Sequence, residues 1–171
     1  MFHAASPRRK TPVALIALVF FLCAIPGISR ADDKPYPSHF ASLRVSEVNL
    51  RSGPGTKYAI QYVYHHQGLP VEIIGQYDVW RKIRDWQGSV GWVQMRMITP
   101  ARTVIIKGDT RTIYRDPARD SPALAKLEPG VVAKLLECSN AWCKIETEKQ
   151  GIKGWLLRSE VWGVYADEVV Q

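Results

Sequence analysis

The sequence predicts an all-β protein built from two small domains in tandem. Three observations lead to that class. Short segments rich in Val, Ile, Tyr and Trp are separated by Gly, Pro, Asp and Asn signals every eight to twelve residues, which is the pattern of a small β-barrel or sandwich. One set of landmarks occurs twice in the same order. No window offers an amphipathic helix of three turns, and Ser121 to Glu128 could give one turn at most.

The chain of 171 residues opens with a leader. Arg8, Arg9 and Lys10 form a basic start, and Val13 to Ile25 is an almost unbroken apolar run. Pro26 and Gly27 end that run, and Ser29 and Ala31 are small residues at the −3 and −1 positions of a cleavage site. Residues 1–31 therefore read as a secretory signal cut after Ala31. Thirteen apolar residues fall short of the roughly 20 that a membrane span needs. The expected contact with membrane is through this leader before cleavage, and the expected location is periplasmic or secreted.

Cleavage changes the charge balance. The whole chain has 23 basic and 16 acidic residues, but without the leader these become 19 and 16, a net charge of +3. The remaining charges are interspersed, whereas a nucleic-acid footprint would be clustered. No nucleic-acid partner is expected.

The first copy runs from Arg51 of NLRSGPG through Gly68 and Trp80 to Gly88, Gly91 and Trp92. Its strand-like segments are LRVSEV, IQYVYH, PVEIIGQY, WRKIRDW and SVGWVQM. The loop VNLRSGPGTKY suggests a phosphate cradle, but it lacks the G-K-[ST] and the following helix of a P-loop. Pro54 and Gly55 read instead as a type II turn with positive φ at the glycine. Arg51 and Lys57 are then rim charges. A linker is placed at Pro100 to Lys107, in which Thr103 to Ile106 could itself be a strand.

The second copy runs from Arg115 through Gly130 and Trp142 to Gly151, Gly154 and Trp155. The Gly-to-Trp spacing is 12 in both copies, and G-x-x-G-W recurs in both. Cys138 and Cys143 lie five apart on either side of Trp142. In an exported chain that pair predicts a disulfide, worth about 2 kcal/mol for so short a loop.

The motifs N-x-R-x-G-P-G, a Gly before a Val-rich strand, W-x-K-I and G-W-V resemble the bacterial SH3-like domain. The continuation WGVYADE resembles the exported two-copy version found in proteobacteria. The resemblance implies two tandem SH3-like β-barrels after a signal peptide, at residues 43–99 and 107–165, and a binding role in the envelope. In eukaryotic SH3 domains a Trp at the matching place lines the peptide groove. The Pro and Tyr that complete that groove are replaced here by Gln94 to Met97 and by Leu157 to Glu160. PxxP ligands are therefore not expected.

Strand alternation supplies the candidate binding residues. Ile83 and Ile145 read as core, which turns Trp80, Lys82, Arg84 and Trp86 to the opposite face of one copy and Trp142 to that of the other. Outward Trp beside Lys or Arg is a common hot-spot composition, and Tyr58 adds aromatic surface near the Gly-Pro-Gly loop. Trp92 and Trp155, each after a Gly, read as packed against the barrel.

Catalytic chemistry is not expected. A nucleophilic Cys needs a neighbouring His, and the two cysteines are assigned to a disulfide. His65 and His66 are adjacent, so on a strand they point to opposite faces, and no metal site is expected. Asp78, Asp85, Glu146 and Glu148 are scattered, which leaves a glycosidase-type pair open without giving it a motif. No cofactor is implied. The reading is a non-enzymatic cell-envelope module that recognises peptide or peptidoglycan stem groups. A periplasmic protein–protein adaptor is the alternative, followed by a small cell-wall hydrolase.

Overall fold

The computed structural model describes residues 36–171 together with Met1. The proposed leader lies outside the described residues. No helix among them is long and apolar enough to cross a membrane.

Residues 36–171 form one compact unit with two antiparallel β-sheets of seven strands each. The first sheet holds β1 (His39–Leu43), β2 (Val48–Arg51), β3 (Ile60–Tyr64), β4 (Pro70–Tyr77), β5 (Trp80–Arg84), β6 (Val90–Gln94) and β7 (Ile98–Thr99). Its strand order is β3-β2-β6-β5-β4-β1-β7. The second holds β8 (Thr103–Ile106), β9 (Arg111–Tyr114), β10 (Ala123–Leu127), β11 (Val132–Ser139), β12 (Trp142–Thr147), β13 (Lys153–Leu157) and β14 (Val161–Trp162). Its order, β10-β9-β13-β12-β11-β8-β14, repeats the first strand for strand. A single 3₁₀ turn precedes the last strand of each sheet, at Met95–Met97 and Arg158–Glu160.

Alternation along the strands builds each core. Val48 and Leu50 of β2, Ile83 of β5 and Val93 of β6 point inward in the first sheet. Ile113, Ile145 and Leu156 do so in the second. The recurrent Gly before Trp has a steric cause. A Cβ on Gly91 would sit 2.6 Å from the Leu50 side chain, and one on Gly154 would sit 2.8 Å from the Tyr114 carbonyl oxygen. Only glycine lets the neighbouring strand approach this closely.

Several local expectations change. The segment LRVSEV is not one strand, because the chain bends between β1 and β2. Residues 121–128 contain β10 rather than a helical turn. Thr103 to Ile106 is β8, the strand that opens the second sheet.

The two sheets meet through polar and apolar contacts. Ile105 of β8 and Val132 of β11 belong to the first domain's core cluster, whereas Val104 and Ile106 belong to the second's. The Thr103 hydroxyl donates to the Gly68 carbonyl at 2.6 Å and lies 2.6 Å from the Ser42 hydroxyl. The Phe40 ring meets Trp162 edge-on at 4.9 Å and Tyr165 at 4.6 Å.

Candidate functional site

The predicted binding residues are spread over both sheets, and their settings differ. Trp80 opens β5, in register with Tyr77 on β4 and Gln94 on β6. It is 7% exposed, so the expectation of an outward, accessible indole is corrected. Strands flank it on both sides. The backbone N–H of Met95 bonds to the Val79 carbonyl at 2.8 Å and holds the 3₁₀ turn against the start of β5.

Lys82 lies between Gly75 and Trp92 across the sheet. Arg84 grips Glu72, with Nε and Nη2 donating to the same carboxylate oxygen at 2.9 and 2.6 Å. Glu72 is buried and also accepts from the Tyr165 hydroxyl at 3.0 Å. Burial first, then this hydrogen bond, pushes the Tyr165 phenol up to about 12. Arg84 is thus tied to the contact between the two domains.

Trp86 does not continue the β5 face, as the alternation had placed it. The strand stops at Arg84 because buried Asp85 accepts from the N–H groups of Gln87 and Ser89 at 3.0 and 2.8 Å. That captures the chain into a turn, and Trp86 sits there partly exposed. Asp85 also accepts from Tyr64 at 2.9 Å. Burial, followed by the Asp85 charge, raises the Tyr64 phenol well above its ordinary range.

Tyr58 explains the Gly-Pro-Gly loop better than a turn type does. Neither Gly53 nor Gly55 has positive φ, contrary to the type II reading. A Cβ on Gly53 would instead lie 2.5 Å from the Tyr58 ring, so glycine makes room for the phenyl face. Arg51 is a loop fastener, not a rim charge. Its Nη1 donates to the carbonyls of Thr56 and Tyr58 at 3.1 and 2.8 Å. Lys57 lies over the Tyr58 ring at 5.6 Å.

The second sheet gathers a surface around Trp142 whose further members, Tyr114 and Trp155, the sequence reading missed. Trp142 is half-buried and meets Tyr114 edge-on at 6.1 Å. Trp155 is in register with Tyr114 on one side and Lys144 on the other. The Lys144 ammonium lies 5.6 Å from the Trp155 ring centre. Trp92 and Trp155 are therefore half-buried on the outer face of their sheets. The signal was available: Gly154 and Leu156 point inward, so period two turns Trp155 outward.

Cys138 and Cys143 are directly opposed across β11 and β12, with Cα atoms 4.2 Å apart, and are joined as a disulfide. Among the described residues, no three His, Cys, Asp or Glu side chains converge as a metal-binding group.

The family model for the bacterial SH3 domain matches residues 44–100 and again residues 107–163. The chain belongs to the bacterial SH3 domain family. This tandem SH3 chain is also similar to the putative N-acetylmuramoyl-L-alanine amidase YrvJ of Bacillus subtilis (strain 168). The two are 24% identical over 64% of this chain and 24% of that protein. Solved structures that resemble it include NlpC2 from Trichomonas vaginalis, with a TM-score of 0.34 and 14% identity over 73% of this chain and 48% of that one. An NlpC/P60 family protein from Bacillus cereus ATCC 10987 gives a TM-score of 0.33 and 14% identity, over 72% and 55%. The chain spans about a quarter of the curated relative and about half of these structures.

The curated relative corrects two expectations, that of a non-enzymatic binding module and that of a chain that is not an enzyme. The finding that overturns them is that the curated relative is named a putative amidase, of which this chain spans about a quarter.

Proposed function

We propose that this chain acts in hydrolysis of the bacterial cell wall, its two SH3 domains engaging peptidoglycan where a wall amide bond is cut. The observation that carries the reading is the similarity to a putative N-acetylmuramoyl-L-alanine amidase. The outer face of the second sheet supports it. Tyr114, Trp142 and Trp155 offer flat apolar area at low entropic loss, and Lys144 offers a cation beside it, a composition that suits carboxylate-bearing peptides on a polymer. On this reading Trp142, Lys82, Trp86 and Tyr58 are contact residues, and Trp80 and Arg84 support the surface from behind.

The same reading takes the sheets as closed SH3-like barrels at residues 43–99 and 107–165, and the chain as the exported two-copy version. It takes residues 1–31 as an export leader that delivers the protein outside the cytoplasm, where the wall is.

The test is release of soluble fragments from dye-labelled sacculi, by the purified chain alone and by the chain added to an N-acetylmuramoyl-L-alanine amidase. Dye release above that of the buffer or amidase control is expected, and Trp142→Ala with Lys144→Ala should lower it. No added release in either arm overturns the reading.

A further inference from the structure

The two repeats differ at one matching place, the edge beside the 3₁₀ turn. In the second domain the chain returns over this edge after β14. Val170 exchanges both backbone hydrogen bonds with Cys138, at 2.9 and 3.0 Å. Val164 and Val170 pack against the core, and Arg158 Nη1 donates to the carbonyls of Tyr165 and Glu168 at 2.6 and 2.8 Å. An apolar, acidic segment, Tyr165-Ala-Asp-Glu-Val-Val-Gln171, thus turns at Tyr165 to Glu168 and then pairs with this edge through Val170.

Aligned on the repeated Trp, Cys138 corresponds to Gln76 of β4. Among the described residues no segment pairs with Gln76 except β5. Beside it lies a groove of about 450 Å³ whose floor includes Ile73 and Ile98 and whose walls carry Arg44, Arg81, Arg96 and Met95. Among the described residues no Asp or Glu lines it. The adjacent hairpin tip leaves Tyr77 62% and Val79 49% exposed.

The arginines are set in place without being neutralised. Arg44 donates to the Ile98 carbonyl at 3.0 and 3.2 Å, and Arg81 Nη1 donates to the carbonyls of Asp78 and Trp80, both at 3.0 Å. These acceptors are uncharged, so both guanidinium groups keep their full charge and their free donors for an anion. Arg96 is exposed and has no ion pair among the described residues.

We propose that this groove docks an extended segment of a partner protein, one that combines carboxylates with branched apolar side chains. Its backbone would pair with the edge as Val170 pairs with Cys138 in the second domain. The β4 edge supplies backbone groups, the groove floor takes the apolar side chains, and the arginines take the carboxylates. The internal precedent favours a polypeptide over a wall fragment, and the proposal stands independently of the hydrolytic reading.

The probe is a fluorescein-labelled peptide with the sequence of residues 165–171, titrated into the full chain and followed by anisotropy at low and high salt. Saturable binding that weakens with salt is expected. Combined Arg81→Glu and Arg96→Glu should weaken it by about tenfold or more, and so should replacing the peptide's Asp and Glu by Asn and Gln. Lys107→Glu, in the second domain, should leave it unchanged. Should the double variant melt early, Arg96→Ala serves instead, with a loss of about threefold expected. Absent saturation, equal affinity for the neutral peptide, or unchanged binding in the Arg variants overturns the proposal. So does binding of soluble muropeptides at these arginines by a protein that ignores the peptide.

Discussion

Trp80 and Trp142 hold the same place in their repeats, but their surroundings have diverged. Alternation correctly turns Ile83 and Ile145 inward, and both are fully buried. What alternation cannot say is how much of the chain lies over the other face. Trp80 is covered while standing outside the main core cluster, and Trp142 keeps part of its ring free beside Tyr114. Trp80→Ala should therefore destabilise the protein by about 3–5 kcal/mol, as large-to-small changes at buried sites do. Trp142→Ala should cost clearly less, and a urea titration separates the two. Equal midpoints for Trp80→Ala and wild type would count against a buried role. Trp86 shows a second limit of sequence reading. A period of two extends a strand on paper indefinitely, whereas Asp85 ends it by capturing two N–H groups.

At the scale of elements, the β11–β12 hairpin is the fastened counterpart of the β4–β5 hairpin. Each turn has one residue with left-handed φ, Asn140 at 50° and Asp78 at 48°. Only the second hairpin has a cystine beside its turn, since Gln76 and Arg81 stand at the corresponding places. The cysteine spacing made this pairing legible in the sequence. The tail contact at Val170 was not legible, because a single bridge between residues 32 apart leaves no periodic trace. Replacing both cysteines by Ala should lower unfolding free energy by about 2 kcal/mol, the loop-entropy value for a closure this short. Chemical denaturation of the oxidised protein against the double variant measures it, and no loss would refute that contribution.

For the molecule as a whole, one ion pair fastens the tail to the segment between the repeats. Arg102 pairs with Glu168, a second contact between them measuring 3.0 Å, and Glu168 also accepts from the backbone N–H of Tyr165 at 3.1 Å. Burial pushes the Glu168 carboxyl up, but the Arg102 hydrogen bond, the Tyr165 N–H and the charges of Arg102 and Arg158 outweigh it and hold it below its ordinary range. A carboxyl depressed in the folded state stabilises fully above its unfolded pKa of about 4.3. That stability is lost as pH falls through the folded value. Thermal melts should thus show a Tm that drops between pH 6 and pH 3, with a shallower drop in Glu168→Gln. An identical acid slope in that variant would sink the assignment. None of this network was visible in the sequence, because its members come from the linker, the 3₁₀ turn at Arg158 and the tail, and no motif joins them. The four-residue strand β8 has the further consequence of ending any picture of beads on a string. Its Ile105 faces one core and its Val104 and Ile106 face the other, so the two repeats have no flexible tether whose length could be tuned. Effective-concentration arithmetic for linked modules does not describe them. A polymer that meets this protein meets two surfaces whose separation is set by a shared strand, and lengthening the connection would split a core rather than extend a reach.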